Sequence, residues 1–277
     1  MPTICGTPDQ AYHTENRRKG EALATFPEGC ALLFGGSGGI GSGISRVFAA
    51  SGSDIAIVYR SNEARAEQLV SDACGMGRRA TAHRGDVADP DDVRAVVKDA
   101  IAAHGRVHSV IWAAGPLVNQ RYLSSTPMEE WRHAFDVEVH GFLAAAQASI
   151  PHMRDQGGGS FVTLGSAGHD LWPSRDGMSV AVKASNEQLV RGIAKEEGRY
   201  GIRANSVLVG VIDAGQLHEL TREGQIDQRW VDNTHRLLCL KRWGTAEEIG
   251  HGCLFFASNE AAYVTGQRIS VSGGFGV

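Results

Sequence analysis

The first residues in this chain whose spacing implies chemistry are those of Gly35-Gly36-Ser37-Gly38-Gly39-Ile40-Gly41. A turn so poor in side chains lets backbone N–H groups approach a pyrophosphate, and the partial positive charge of a following helix N-terminus favours its anion. The flanks supply that context: Cys30-Ala31-Leu32-Leu33-Phe34 is a short apolar run suited to a buried strand, and Ile44, Val47 and Phe48 then recur at helical spacing. A phosphate-bearing nucleotide is the expected guest, contacted by Gly35, Ser37, Gly38, Gly39, Ile40 and Gly41.

In a sheet of that kind the end of the second strand selects the nucleotide, because the adenosine ribose lies there and an acid would accept its 2′-hydroxyl. Here the strand ends Ile57-Val58-Tyr59-Arg60-Ser61, with tyrosine where the acid would stand. Arg60 offers a planar cation suited to a 2′-phosphate, so NADP(H) is expected over NAD(H), held there by Arg60 and Ser61.

Positioning such a site takes a sheet, and the rest of the chain supplies one. Short apolar runs at 55–59, 107–112, 161–164, 207–209 and 269–271 alternate with amphipathic stretches. That alternation is the signature of an α/β fold, a Rossmann-type doubly wound parallel sheet in a single domain. The helices carry their own punctuation. Asp89-Pro90-Asp91-Asp92 supplies a cap, a first-turn proline and first-turn acids, and Gly105 closes that helix. Thr126 with Glu129 and Thr245 with Glu248 each fit a capping box, and Trp131, Phe135, Val139 and Phe142 form an aromatic-rich stripe of core or subunit interface. Residues 1–28 are polar and read as an N-terminal extension, flexible or packed on a neighbouring subunit; the domain proper is expected over 29–277. Within it, residues 214–242 read as a mobile lid that sets substrate size.

Bulk properties exclude several classes of function. Charged residues make up 21% of the 277 and the formal charge is -4 without a basic block, so nucleic acid is not an expected partner. No apolar run approaches the roughly 18 residues of a membrane span and the first residues lack a signal-peptide pattern, which points to a cytoplasmic protein. Five cysteines without a Cys-x-x-Cys spacing indicate neither a disulfide framework nor a metal site, and read as reduced thiols.

Taken in order, the motifs resemble those of the short-chain dehydrogenase/reductase family over nearly the whole span from Gly29 to Val277. Gly35-x-x-x-Gly39-Ile40-Gly41 is similar to its cofactor turn, with Phe34 in place of the usual threonine. Asp86-Val87 resembles the pair that contacts the adenine, and Trp112-Ala113-Ala114-Gly115 stands where the family has Asn-Asn-Ala-Gly. Ser166 is similar to the active-site serine and Lys183 to the active-site lysine, which also binds the cofactor. Gly210 and Ile212 fall in the segment that receives the nicotinamide carboxamide, of whose motif only the glycine remains.

The resemblance also defines what is altered. The family's active-site tyrosine, four residues before the lysine, is Ser179 here, on the same helical face as Lys183. An alkyl hydroxyl is a far weaker acid than a phenol and shorter by a ring. The family's helix asparagine aligns with Glu138, which adds a titratable carboxyl near Lys183. The resemblance therefore implies an atypical NADP(H)-dependent oxidoreductase acting on a carbonyl or conjugated enone or enoyl substrate. Its catalytic set is Ser166, Ser179, Lys183 and Glu138, and its proton comes from water, Glu138 or His169. Partial similarity to 2,4-dienoyl-CoA reductases and 3-oxoacyl-carrier-protein reductases suggests a small-molecule thioester or polyketide-like substrate and a homodimer or homotetramer. The alternative is a nucleotide-binding protein without redox turnover: a sensor, a scaffold subunit or a non-redox isomerase.

Overall fold

The structure, a computed structural model, describes residues 25–277. Seven strands make one parallel sheet in the order β3-β2-β1-β4-β5-β6-β7. They are β1 (Cys30–Phe34), β2 (Asp54–Tyr59), β3 (Ala80–Arg84), β4 (Val107–Trp112), β5 (Gly159–Ser166), β6 (Ile202–Val209) and β7 (Arg268–Val271). Parallel neighbours cannot be joined by tight turns, so the connections carry helices, and strands covered on both faces read as apolar runs. Every residue of β1 and β4 is buried accordingly. Strand order reverses between β1 and β4, which opens a crevice at their carboxyl ends.

In chain order the helices are α1 (Gly39–Ala50), α2 (Glu63–Gly75), α3 (Pro90–His104), α4 (Met128–Phe135), α5 (Gly141–Asp155), α6 (Gly177–Glu197), α7 (Gln216–Arg222), α8 (Gln228–Leu237) and α9 (Ala246–Ala257). Side chains of α1, α2 and α9 fill the core on one face of the sheet, and those of α3, α5 and α6 fill it on the other. Small residues let α1 and α9 approach closely: a Cβ on Gly43 would stand 2.4 Å from that of Ala246. The caps expected at Asp89 and at Thr245 with Glu248 form, the latter as a reciprocal capping box.

Three expectations need correction. The pair Thr126 and Glu129 forms no capping box, because Pro127 takes the cap position of α4 and the Thr126 hydroxyl donates back to the carbonyl of Tyr122 at 3.1 Å. Strand β3 is absent from the apolar runs, since in Ala-Thr-Ala-His-Arg the aliphatic side chains are only alanine methyls and a threonine and a histidine are buried with Ala80. Cys30, Cys239 and Cys253 are free thiols, whereas Cys74 is disulfide-bonded.

Of the N-terminal extension, residues 1–24 lie outside the described residues. Residues 25–28 adjoin the domain: the Asn259 amide donates to the Thr25 carbonyl at 3.0 Å, and the Phe26 ring stacks on His108 with centroids 5.2 Å apart.

Candidate active site

The glycine turn joins β1 to α1 at the crevice. Gly35 has φ +74, a conformation that side chains disfavour, and a Cβ there would lie 2.7 Å from the Ala113 carbonyl oxygen. A Cβ on Gly41 would lie 2.0 Å from the Gly35 oxygen, so the turn folds on itself with no room for a side chain. Gly38 caps α1 and supplies no side-chain acceptor to the helix. The first-turn amides of Gly39, Ile40 and Gly41 therefore have no partner inside the helix, an arrangement that fits a bound pyrophosphate. Ser37 is buried in the same turn.

Arg60 and Ser61 stand exposed just past β2. Two further arginines keep them company and carried no motif that would have singled them out. Arg84 closes β3 beside Tyr59, and Arg65 on α2 donates to the Ser42 hydroxyl at 2.8 Å. Asp86 accepts from the Ala88 amide at 3.0 Å, which fixes the turn that presents Val87.

Lys183 lies one turn beyond Ser179 on α6, both of them half-buried. Its ammonium donates to Glu138 Oε1 at 2.5 Å, in a pair whose side chains are only 15% and 3% exposed. Glu138 reaches it from a π-helical turn, Asp136–His140, inserted between α4 and α5. Such turns widen a helix locally and are frequent at functional sites. Asn186 on α6 pins this one by donating to the Glu138 carbonyl at 3.1 Å. A Cβ on Gly115 would come within 2.9 Å of Glu138 Oε1, so the carboxylate occupies the space between Lys183 and the segment Ala113, Ala114, Gly115.

Ser166 ends β5 nearly buried, its hydroxyl oxygen accepting from the Gly168 amide at 3.0 Å. Its own proton stays available for donation. Trp112 turns away from the crevice: its ring packs against Phe34 at 4.8 Å and Phe142 at 5.9 Å between centroids. Phe34 and Trp112, at two positions where the family resemblance implies polar residues, are thus partners in one aromatic stack.

His169 is held on both sides. Nε2 meets the Val180 carbonyl at 3.0 Å, and Nδ1 is in ion-pair contact with Glu187, itself bridged through Arg268 to Asp170. Burial disfavours the imidazolium, but the Glu187 hydrogen bond and charge outweigh it and raise the pKa. Tyr122 sits apart at 61% exposure, lining a cavity of about 360 Å³ with Leu123 and Trp172 whose walls include none of Ser166, Ser179 or Lys183.

One titratable residue was not legible as part of the site. Asp176 takes the cap position of α6, but its carboxylate makes no capping bond; Oδ1 accepts from Gln120 Nε2 at 3.1 Å. Burial raises its pKa to about 6, against the Gln120 hydrogen bond and the Lys183 charge, with Glu138 adding to the rise.

The segment after β6 closes over the glycine turn. Gly210 packs on Ser272, Ile212 is buried in the core, and a Cβ on Gly39 would lie 2.3 Å from Gly215 Cα. Beyond it, Gln216 donates to the Pro116 carbonyl at 3.1 Å, and Gln225 accepts from the Gln120 amide at 3.0 Å. Residues 214–242 are thus tied to the loop after β4.

Comparison with known proteins agrees with this arrangement. A family model described as enoyl-(acyl carrier protein) reductase matches residues 35–276. L-rhamnose 1-dehydrogenase (NAD(P)(+)) of Sphingomonas sp. (strain SKA58) is 33% identical over 244 residues, covering 88% of this chain and 94% of that one. A short-chain type dehydrogenase/reductase from Mycobacterium ulcerans superposes with a TM-score of 0.83 at 27% identity, over 90% of each chain. A blue fluorescent protein from a metagenomic library, solved with NADPH, superposes with a TM-score of 0.77 at 30% identity, over 90% of this chain and 99% of that one. With a parallel sheet reversing at β1 and β4, a glycine turn at the reversal and a matching family model over residues 35–276, the chain belongs to the short-chain dehydrogenase/reductase family.

Proposed function

We propose that this protein is an atypical NADP(H)-dependent oxidoreductase that moves a hydride to a carbonyl or a conjugated enone or enoyl compound. The observation that carries the reading is a side-chain-free anion cradle following β1 at the same carboxyl end of the parallel sheet where Ser166 ends β5, together with a Lys183 held by Glu138. The reduced dinucleotide, when bound, supplies the hydride. The first-turn amides of α1 hold its pyrophosphate, and Asp86 and Val87 flank its adenine. Ala113, Ala114, Gly115, Gly210 and Ile212 line its path across the crevice. Arg60 meets the 2′-phosphate in a field reinforced by Arg84 and Arg65, and the NADPH complex of a family relative supports that preference.

Lys183, fixed by Glu138, orients the nicotinamide ribose. Ser166 donates to the substrate oxygen and Ser179 adds a second donor, but neither hydroxyl is acidic enough to act as a phenol does. Reduction of a conjugated thioester, where hydride adds to carbon and no alkoxide forms, eases that requirement, and the description of the matching family model supports such a substrate. The cavity of Tyr122, Leu123 and Trp172, which Arg121 and Arg175 also line and which reaches Gly177 at the start of α6, suits a substrate with an apolar body and an anionic or polar end. A cytoplasmic homodimer or homotetramer joined through α5 and α6 belongs to the same reading.

The test is consumption of NADPH across ketones, enones and enoyl thioesters. Wild type should consume it with one class, Lys183→Ala with none, and Arg60→Ala should bind NADPH about tenfold more weakly with NADH unchanged, as expected for one charge-assisted contact of roughly 1.5 kcal/mol. NADPH that binds and is spent on nothing would leave the non-redox alternative standing.

A further inference from the structure

We propose that Asp176 is the proton donor of this site, the acid that fills the chemical role of the missing phenol. The inference rests on the oxidoreductase reading above. Three observations converge on it. Asp176 stands three residues before Ser179 and seven before Lys183, spacings that align all three along one face of α6. Its carboxylate is spared from capping: Asp89 and Asp227, at the starts of α3 and α8, each accept an amide of their own helix, whereas Asp176 accepts none.

It is also positioned from outside the helix. Gln120 donates to Oδ1 at 3.1 Å and is itself clamped, its carbonyl receiving the Arg175 guanidinium at 2.9 Å and its amide bonded to Gln225 at 3.0 Å. Closure of the 214–242 segment, which carries Gln225, therefore sets the residue that aims the acid.

The other candidate donors are engaged. Glu138 is bound to Lys183 at 2.5 Å, and His169 meets the Val180 carbonyl through Nε2 and is in ion-pair contact with Glu187 through Nδ1. The charged groups around Asp176 are Glu138 from the π turn and Lys183 from α6, which oppose each other. Arg121 and Arg175 alongside it are directed to Glu130 and to the Gln120 carbonyl. Burial leaves the carboxyl with a pKa of about 6, close enough to neutrality both to give a proton and to regain one.

In the reductive direction a new C–H bond forms with the hydride of a reduced nicotinamide dinucleotide, which leaves oxidised. The carbonyl π pair moves to oxygen, directly or through the conjugated double bond. As that oxygen's new O–H bond forms, the O–H bond of Asp176 breaks, and the carboxylate recovers its proton from solvent.

The test is Asp176→Asn, which is isosteric and keeps an acceptor for Gln120. The variant should lose about 100-fold or more in kcat, the scale of general acid catalysis, with the Kd for NADPH unchanged. Wild-type kcat should fall as pH rises through about 6, where the acid is lost, and the variant should lack that limb. A readout independent of turnover follows from linkage. An acid whose folded pKa is raised stabilises the fold below its unfolded pKa, and that stability is lost as pH rises through about 6. Asp176→Asn should therefore melt higher than wild type at pH about 8 and not at pH about 4. A variant with kcat within about threefold of wild type, an unchanged pH profile, or a Tm difference independent of pH overturns the assignment while the oxidoreductase reading stands. Wild type that binds NADPH and never oxidises it removes both.

Discussion

Where the family resemblance implies a neutral amide, Glu138 carries a carboxylate, and the ion pair it forms makes Lys183 dependent on it. Both side chains are close to buried, so removing one charge strands the other where water cannot replace it. Glu138→Gln should lower unfolding free energy by about 3 kcal/mol in urea titration, and adding Lys183→Met should recover most of that loss, because the cost lies in the uncompensated ammonium. The approach of Glu138 to Lys183 could be expected from aligned motifs. The part played by Asp176 could not, since an aspartate just before a helix reads as an ordinary cap and only the direction of its carboxylate says otherwise. Trp112 was similarly opaque: its indole explains both its own presence and that of Phe34 only once the two rings are seen in contact.

Among the elements, β1 followed by α1 was the most legible, because an unbroken apolar run, a glycine turn and a helical stripe leave one arrangement that buries them all. Strand β3 escaped because its aliphatic content is two alanines and its other buried residues are polar and pay for burial with one another: the Thr81 hydroxyl lies 2.8 Å from His83 Nε2 and 3.0 Å from His104 Nε2. The π turn had no local signature either, since its five residues are compatible with continuous α-helix. The glycine turn carries a sharp prediction. Gly39→Ala would set a methyl 2.3 Å from Gly215 Cα, with backbone on both sides and nothing flexible to yield. The variant should keep its melting temperature, which the core of α1 sets. Segment 214–242 should be held off the turn, seen as faster hydrogen exchange there and weaker NADPH retention.

For the molecule as a whole, the alternation of runs and stripes was enough to give a doubly wound sheet, whereas its response to acid is written in polar residues that pattern reading passes over. Burial lowers the pKa values of three histidines: His83, His104 to about 4 and His108 to about 3. The unfolded chain binds those protons near pH 6.5 and the folded one does not, so stability is present above that pH and is lost as pH falls towards the folded values. The unfolding free energy from urea titration should drop between pH about 6.5 and 5, by up to roughly 2 kcal/mol for each of His104 and His108, and a variant with glutamine at both positions should show a shallower fall. Asp176 acts in the opposite sense over the same interval and softens the drop. The contact between Gly39 and Gly215 has a kinetic meaning at this scale. A dinucleotide using the first-turn amides, as proposed, would enter and leave past the chain that lies above them. A substitution at that doorway would then show in how fast a nucleotide arrives and departs, and leave the bond-making behind it as it was.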